Sequence, residues 1–415
     1  MPELLSVETA VARILELFRP LPPEKVNLLD SLGRVLGEDI RAASASPPFA
    51  NSSMDGYAVN ARDTQGADPQ QPARLRVVMD IPAGSVATRA LNAGEAARIM
   101  TGAPLPDGAN AVVPVEQTDQ SWRSGSNPPL TDFVNIFTAV EPGASVRQRG
   151  EDFAEGNIVL SALTPIRPPE LGLLAALGSS LVPVIRQPRV VILSTGDELV
   201  EVDEPLTPGK IRDSNGYTLY ALVKAYGGLP LRLPIIRDHL DDARARFQEA
   251  LALQPDIILS SAGVSVGAFD VVRAVVEELG AINFWRVNLR PGKPLAFGAV
   301  GAVPFFGLPG NPVSAMVTFD VFVRPALLKL TEQPDAVPTI SAVLGEDLRS
   351  DGRQSYLRVK LRREGTTWVA TLTGTQSSAA LTSMVKADGL IIIPEGVTFA
   401  RSGEAFAVRL LREVQ

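Results

Sequence analysis

Several short stretches hold the residues with chemical reach. Leu193-Ser194-Thr195-Gly196-Asp197-Glu198-Leu199 sets two carboxylates directly after an apolar run. Ser260 to Asp270 is a string of small residues that lets backbone N–H groups approach an anion, and its terminal Asp270 suits a helix cap. Between Trp285 and Pro294 lie three cations, Arg286, Arg290 and Lys293, in a chain that is otherwise net acidic. Beside glycine-rich loops such a cluster suits a phosphate or another oxyanion. Gly307-Leu308-Pro309-Gly310-Asn311-Pro312-Val313-Ser314 is a stiff loop, with Asn311 placed to cap a helix and Pro312 suited to its first turn. Ile235-Ile236-Arg237-Asp238-His239 reads as an apolar strand ending on a carboxylate, with His239 as a cap or surface residue rather than a base. Earlier in the chain, Asp55-Gly56 forms a turn ahead of Tyr57-Ala58-Val59. Thr101 opens a long Pro- and Gly-rich loop, and Gly150-Glu151-Asp152 adds two acids.

Composition narrows the chemistry. Cysteine is absent and there is one histidine, which excludes disulfides, thiolate zinc sites, iron–sulfur clusters and multi-histidine metal sites. Any metal must be a hard cation on carboxylates, phosphates or water, so magnesium-assisted phosphate chemistry on an anionic substrate fits. A net charge of −7 argues against a nucleic-acid partner. No apolar run approaches the roughly 18 residues a membrane span needs. The N-terminus has acids among its apolar residues, unlike a signal peptide. A soluble, cytoplasmic protein without membrane contact is expected.

The elements that must position these residues follow from periodicity. Val7, Ala10, Val11, Ile14, Leu15 and Phe18 follow helical spacing, with Ser6 placed to cap. Residues 48–149 have β texture, including runs at 75–81, 96–100, 111–115 and 133–140, and the Arg123–Pro129 stretch is a loop by composition. A short helix is expected over 169–177. Continuous apolar strands at 190–195, 256–261 and 303–309 each precede a loop and a helix, which predicts a parallel α/β sheet whose ligands bind beyond the strands' carboxyl ends. From about 334 the chain turns β again.

Taken together, SSMDGYAV, RIMTGAPLPDGANAVVPVE, RGED, LSTGDEL, RDSN, SAGVSVGAFD, LRPGKP and LPGNPVSA resemble, in order, the motifs of the MoeA-type molybdopterin molybdenumtransferases, a family that includes the E domain of gephyrin. The resemblance spans nearly the whole chain. It implies an elongated multidomain homodimer, α/β plus β-rich: an α/β domain of 1–22 and 187–333, a linking domain of 23–47 and 150–186, a β-rich lobe of 48–149, and a β-barrel-like domain of 334–415. It implies molybdate insertion into adenylylated molybdopterin with release of AMP, dependent on Mg2+, and contact with other molybdenum-cofactor pathway proteins. The functional acids it implies are Asp55, Asp152, Glu198, Asp238 and Asp270, with Thr101 beside them. Magnesium is expected at Glu198, Asp238 and Asp270. Arg286, Arg290, Lys293, Pro309, Pro312, Arg353 and Ser378 are the implied substrate contacts.

The chain departs from the family pattern in three places. Ala262 stands where a glycine is usual, Ala268 where an acid is common, and Arg286 and Arg290 where lysines are frequent. A non-catalytic gephyrin-like scaffold or a molybdopterin-binding paralogue is the alternative reading. The retained acids favour the enzyme.

Overall fold

The computed structural model describes residues 4–122, 129–262 and 271–414. The loop expected at Arg123–Pro129 therefore falls almost wholly outside the described residues, as do Ala268 and Asp270. The chain forms two compact units. One comprises 1–37, 163–171 and 181–415, and the other 38–162 and 172–180.

The larger unit is organised by a six-stranded sheet. Its core is parallel: Leu229–Arg232, Arg189–Ser194, Ile257–Ser261 and Val303–Leu308 lie in that order. The sequence has no polar alternation here because both faces are covered. Val190, Ile192, Ile257 and Leu259 pack with Ala10 and Ile14 of the Val7–Leu15 helix and with Leu219 and Val223 of the Ser214–Ala225 helix. Val191, Leu193 and Ile258 face the opposite way, onto Ala243 and Phe247 of Leu240–Ala252 and Val272, Val275 and Val276 of Val271–Leu279. Burying each such aliphatic side chain contributes about 1.5–3 kcal/mol, so the strand ends are firmly held. Ser6 caps the first helix, its Oγ accepting from Thr9 N–H at 3.1 Å.

Two features differ from the sequence expectation. The sheet is mixed, because Pro294–Val300 and Gly280–Arg286 continue it antiparallel beyond Val303–Leu308. Only Gly301 and Ala302 separate Val300 from Val303, and so short a connection admits only an antiparallel hairpin. The expected strand over Ile235–Ile236 is also absent. The strand ends at Arg232, and past Pro234, which has no N–H for the ladder, only an isolated bridge joins Ile236 to Thr195.

The C-terminal part closes into a five-stranded barrel. Gln354–Glu364 pairs with Thr367–Leu372 and with Gly389–Ile393, while Thr339–Leu344 and Ala405–Leu410 complete the ring. Leu357, Val359, Ala370, Ile391 and Val408 fill it. Leu289–Arg290 adds to this sheet, with Arg290 beside Ser355 in the register.

The smaller unit holds a five-stranded sheet ordered Ala111–Pro114, Gly56–Val59, Glu95–Ile99, Ala73–Ile81 and Phe133–Ile136. Tyr57, Val59, Ala96 and Val113 form its core on one side, and Ala58, Ala97 and Val112 on the other. Among the described residues no helix is long and apolar enough to cross a membrane.

Candidate active site

The crevice lies beyond the carboxyl ends of the parallel strands, where open α/β sheets place their ligands. A cavity of about 340 Å³ there is lined by Thr195, Glu198, Asp213, Asn215, Ser261, Ala262, Gly310, Asn311 and Pro312, among others. Asp213 is buried and caps the Ser214–Ala225 helix, accepting from Gly216 N–H at 2.8 Å, with Arg232 at 3.4 Å. Arg232 also holds the carboxyl of Glu201 below its ordinary range. Asn215 Nδ2 donates to Gly310 O at 2.7 Å and fastens the rim to the Pro-Gly-Asn-Pro loop.

The acidic loops leave the sheet together. Gly196 N–H donates to Ile236 O at 3.1 Å. Asp197 N–H donates to Asp238 Oδ2 at 3.3 Å, and Asp238 N–H donates to Asp197 Oδ1 at 3.2 Å. Asp197, which the family resemblance did not single out, is thus the neighbour of Asp238. Glu198 lines the cavity, and its carboxylate folds back over Gly196. Gly196 has φ +147°, a conformation that side chains rarely adopt, and a Cβ there would displace the Glu198 carboxylate, which lies 2.3 Å from its position. Asp238 and Glu198 are both exposed. His239 is exposed at the N-cap position of its helix and makes no capping bond. Among the described residues no three acidic or histidine side chains converge as a metal cage.

A second cavity, of about 320 Å³, is basic. Arg290, Lys293, Arg353 and Arg358 line it together with Gly292, Ser314, Gln376 and Ser378. The pairing of Leu289–Arg290 with the barrel strand brings Arg290 to Arg353 across a long stretch of sequence. Arg353 donates to Leu289 O at 3.2 Å and pairs with Asp351 at 2.6 Å, while Arg290 stands 3.8 Å from the same Asp351. Arg353 is the chief cause of the lowered Asp351 pKa. Gly292 has φ +110°, and a Cβ there would meet Thr318 Cγ2 at 2.5 Å.

The two cavities share a wall. Pro312 and Ala379 line the crevice, Ser314 and Ser378 line the basic pocket, and between them Val313 N–H donates to Ser378 O at 3.0 Å. Contrary to expectation, Asn311 occupies the cap position without a side-chain cap bond. Pro312 has no N–H, and the Val313 donor is already taken by the barrel segment. Arg286 is exposed and lines neither cavity, and Pro309, within the loop, is buried and also lines neither.

In the smaller unit, Asp55 and Thr101 come together. Asp55 Oδ1 accepts from Thr101 N–H at 2.8 Å and from Thr101 Oγ1 at 2.7 Å. Both are exposed, as is Asp152, whose N–H donates to Ser46 O at 3.0 Å.

Two crevice residues carry local cost. Ala262 has φ +71°, a left-handed conformation that disfavours a side chain by about 1–2 kcal/mol. Thr195 Oγ1 is buried and has no hydrogen-bond partner among the described residues. Ala262→Gly is therefore expected to leave the thermal unfolding midpoint unchanged or raised, against the loss of about 0.5–1 kcal/mol usual for Ala→Gly. Thr195→Val, which removes an unpaired hydroxyl, should likewise not lower it. Calorimetry of both variants checks this, and a clear drop in either contradicts it.

A crevice at a parallel sheet's carboxyl edge, walled against a cationic pocket from an appended barrel, defines a multidomain α/β protein built for anionic substrates. Residues 5–178 match the MoeA N-terminal region (domain I and II), 191–329 a probable molybdopterin binding domain, and 341–411 the MoeA C-terminal region (domain IV). The chain is 39% identical over 411 residues to molybdopterin molybdenumtransferase 2 of Mycobacterium tuberculosis, covering 97% of this chain and 98% of that one. It is 37% identical over 413 residues to the molybdopterin molybdenumtransferase of Bacillus subtilis, covering 99% and 94%. The crystal structure of the molybdopterin biosynthesis MoeA protein from Pyrococcus horikoshii superposes with a TM-score of 0.83 at 32% identity, over 99% of this chain and all of that one. The chain belongs to the MoeA family of molybdopterin molybdenumtransferases.

Proposed function

We propose that this protein is a molybdopterin molybdenumtransferase of molybdenum cofactor biosynthesis, which inserts molybdate into adenylylated molybdopterin and releases AMP. The observation that carries the reading is the shared wall: a crevice large enough for part of an organic substrate abuts a pocket lined by four cations, in a chain of this family. The protein as a whole is net −7, so a dianionic oxoanion must be drawn by local charge, and Arg290, Lys293 and Arg353 supply it. Ser378 and Ser314 add hydroxyl donors. Pro309 and Pro312 stiffen the loop that forms the crevice rim, which keeps backbone groups oriented. Arg286 extends the positive surface on the same run of chain.

Mg2+ suits the donors present. It is commonly held by one or two carboxylates together with substrate phosphate, rather than by a complete protein cage. Glu198 and Asp238, with Asp270, would hold it, and when bound it neutralises phosphate charge. The reciprocal bonds between Asp197 and Asp238 keep that loop fixed for the task. Asp55, Thr101 and Asp152 complete the site in this reading by facing the crevice of a second subunit in a cytoplasmic homodimer. The four-part domain division and exchange of substrate with other pathway proteins belong to the same reading.

Complementation tests it. Expressed in a bacterium that lacks its own molybdopterin molybdenumtransferase, the chain should restore molybdoenzyme activity. A scaffold or a binding-only paralogue would leave the strain deficient while still binding molybdopterin.

A further inference from the structure

Arg358 differs from the other buried arginines. It is 1% exposed, in the middle of the Gln354–Glu364 barrel strand. Arg324, 4% exposed, sits between Asp320 and Asp335, and Arg98, also 4% exposed, pairs with Asp80. Arg358 has no acidic partner among the described residues. Its Nε donates to Ser383 Oγ at 3.1 Å and its Nη2 to Ser377 O at 3.1 Å, both uncharged. A guanidinium has five N–H donors, and Nη1 of Arg358 donates to no group among the described residues. An uncompensated buried charge is costly, so a fold that keeps one in a cavity wall leaves its compensation to something that enters the cavity. That cavity is the basic pocket, where Arg290, Lys293 and Arg353 already gather.

Resting on the reading of that pocket as the anion site, we infer that Arg358 is its fixed charge: a further binding residue whose counter-ion is a tetrahedral oxoanion, so that anion binding stabilises the folded chain. Arg358 also shapes the adjoining wall. Its N–H donates to Gln376 Oε1 at 3.0 Å and its carbonyl accepts from Gln376 Nε2 at 3.1 Å, which sets the segment leading to Ser378. Burial first, and repulsion from Arg290 second, push the Arg358 pKa down to about 10. The more accessible cations Arg290, Lys293 and Arg353 attract the anion from solvent, while Arg358 meets it with a group that is already desolvated. Such preorganisation favours a compact dianion over hydrated chloride.

The test measures equilibrium binding and thermal unfolding of the full chain with molybdate or AMP as probe, for the wild type, Arg358→Met, Arg358→Lys and Arg290→Ala. Arg358→Met should unfold, without anion, at a midpoint no lower than the wild type. Its affinity for the anion should fall about tenfold or more, with loss of the anion-induced rise in midpoint. Arg358→Lys keeps charge without the planar fork, and it should bind weakly but measurably more tightly than the methionine variant. If Arg358→Met does not fold, unchanged affinity in Arg358→Lys overturns the inference. A lowered midpoint with unchanged affinity in Arg358→Met also overturns it, because the residue is then only structural. Dependence on Arg358 for molybdate assigns the pocket to the free oxoanion, and dependence for AMP alone assigns it to the phosphate of the nucleotide substrate. If neither probe binds the wild type, the anion-pocket reading itself fails. If Arg290→Ala weakens binding and Arg358→Met does not, only the role of Arg358 is lost.

Discussion

Arg290→Ala combined with Arg353→Ala is expected to weaken molybdate binding at low salt by roughly two to four orders of magnitude, from about 1.5–3 kcal/mol for each charged hydrogen bond. The lower end of that range is the sounder expectation. The Arg290 side chain is 39% exposed and Arg353 26%, so solvent screens both, and each shares Asp351 in the free protein. Asp351 therefore provides a control of opposite sign. Asp351→Asn removes a negative charge that competes for both arginines, and it should tighten anion binding. The loss in the double variant should shrink as added salt shortens the screening length to about 10 Å and below. Isothermal titration with molybdate at two ionic strengths decides it. Unchanged affinity at low salt would show that these cations are only a solvated face.

Asp55→Ala and Asp238→Ala should each lower turnover by about 10²–10³-fold, the loss typical of removing a preorganised polar group from a reacting site. Asp55 holds Thr101 through two hydrogen bonds, so Thr101→Val should reproduce part of the first defect. The two aspartates belong to different compact units, and in the proposed dimer each site takes one from each subunit. Mixing the two inactive variants should then recover activity, because heterodimers carry one site with both acids. With random exchange about a quarter of the sites are intact. The check is turnover of the mixture after subunit exchange is verified by mass or label. No recovery would place Asp55 and Asp238 in the same site of one chain, or outside any site.

The parts of this architecture that depend on neighbouring residues were readable from the sequence. Val190–Leu193 and Ile257–Leu259 are unbroken apolar runs because both faces of their sheet are covered, and Ser6 caps its helix as its spacing demands. The antiparallel extension was less visible, since it follows from a hairpin whose strands carry no mark distinguishing them from parallel ones. The strand foreseen at Ile235–Ile236 failed at Pro234, a signal that was present and outweighed by the run of apolar residues.

The site divides in the same way. The Gly-rich loops and the cations at 290 and 293 stand out locally, and family resemblance adds Arg353 and Ser378. Nothing local shows that Arg290 lies alongside Ser355, because that register is set by packing between distant segments. Arg358 escaped notice for a related reason. In Ser355-Tyr356-Leu357-Arg358-Val359-Lys360 it resembles an outward-facing charge, yet the barrel strand is buried on both sides through Val359. The tie between Asp197 and Asp238 likewise depends on two loops meeting beyond the sheet.

The central claim is metal insertion coupled to loss of the nucleotide, and one assay addresses it directly. The purified chain is incubated with adenylylated molybdopterin, molybdate and magnesium, and AMP and metallated cofactor are quantified together. AMP and molybdenum-loaded cofactor should appear in equal amounts, with neither formed when molybdate is left out. Retention of intact adenylylated molybdopterin in the complete mixture, under conditions where the protein demonstrably binds it, would contradict the account.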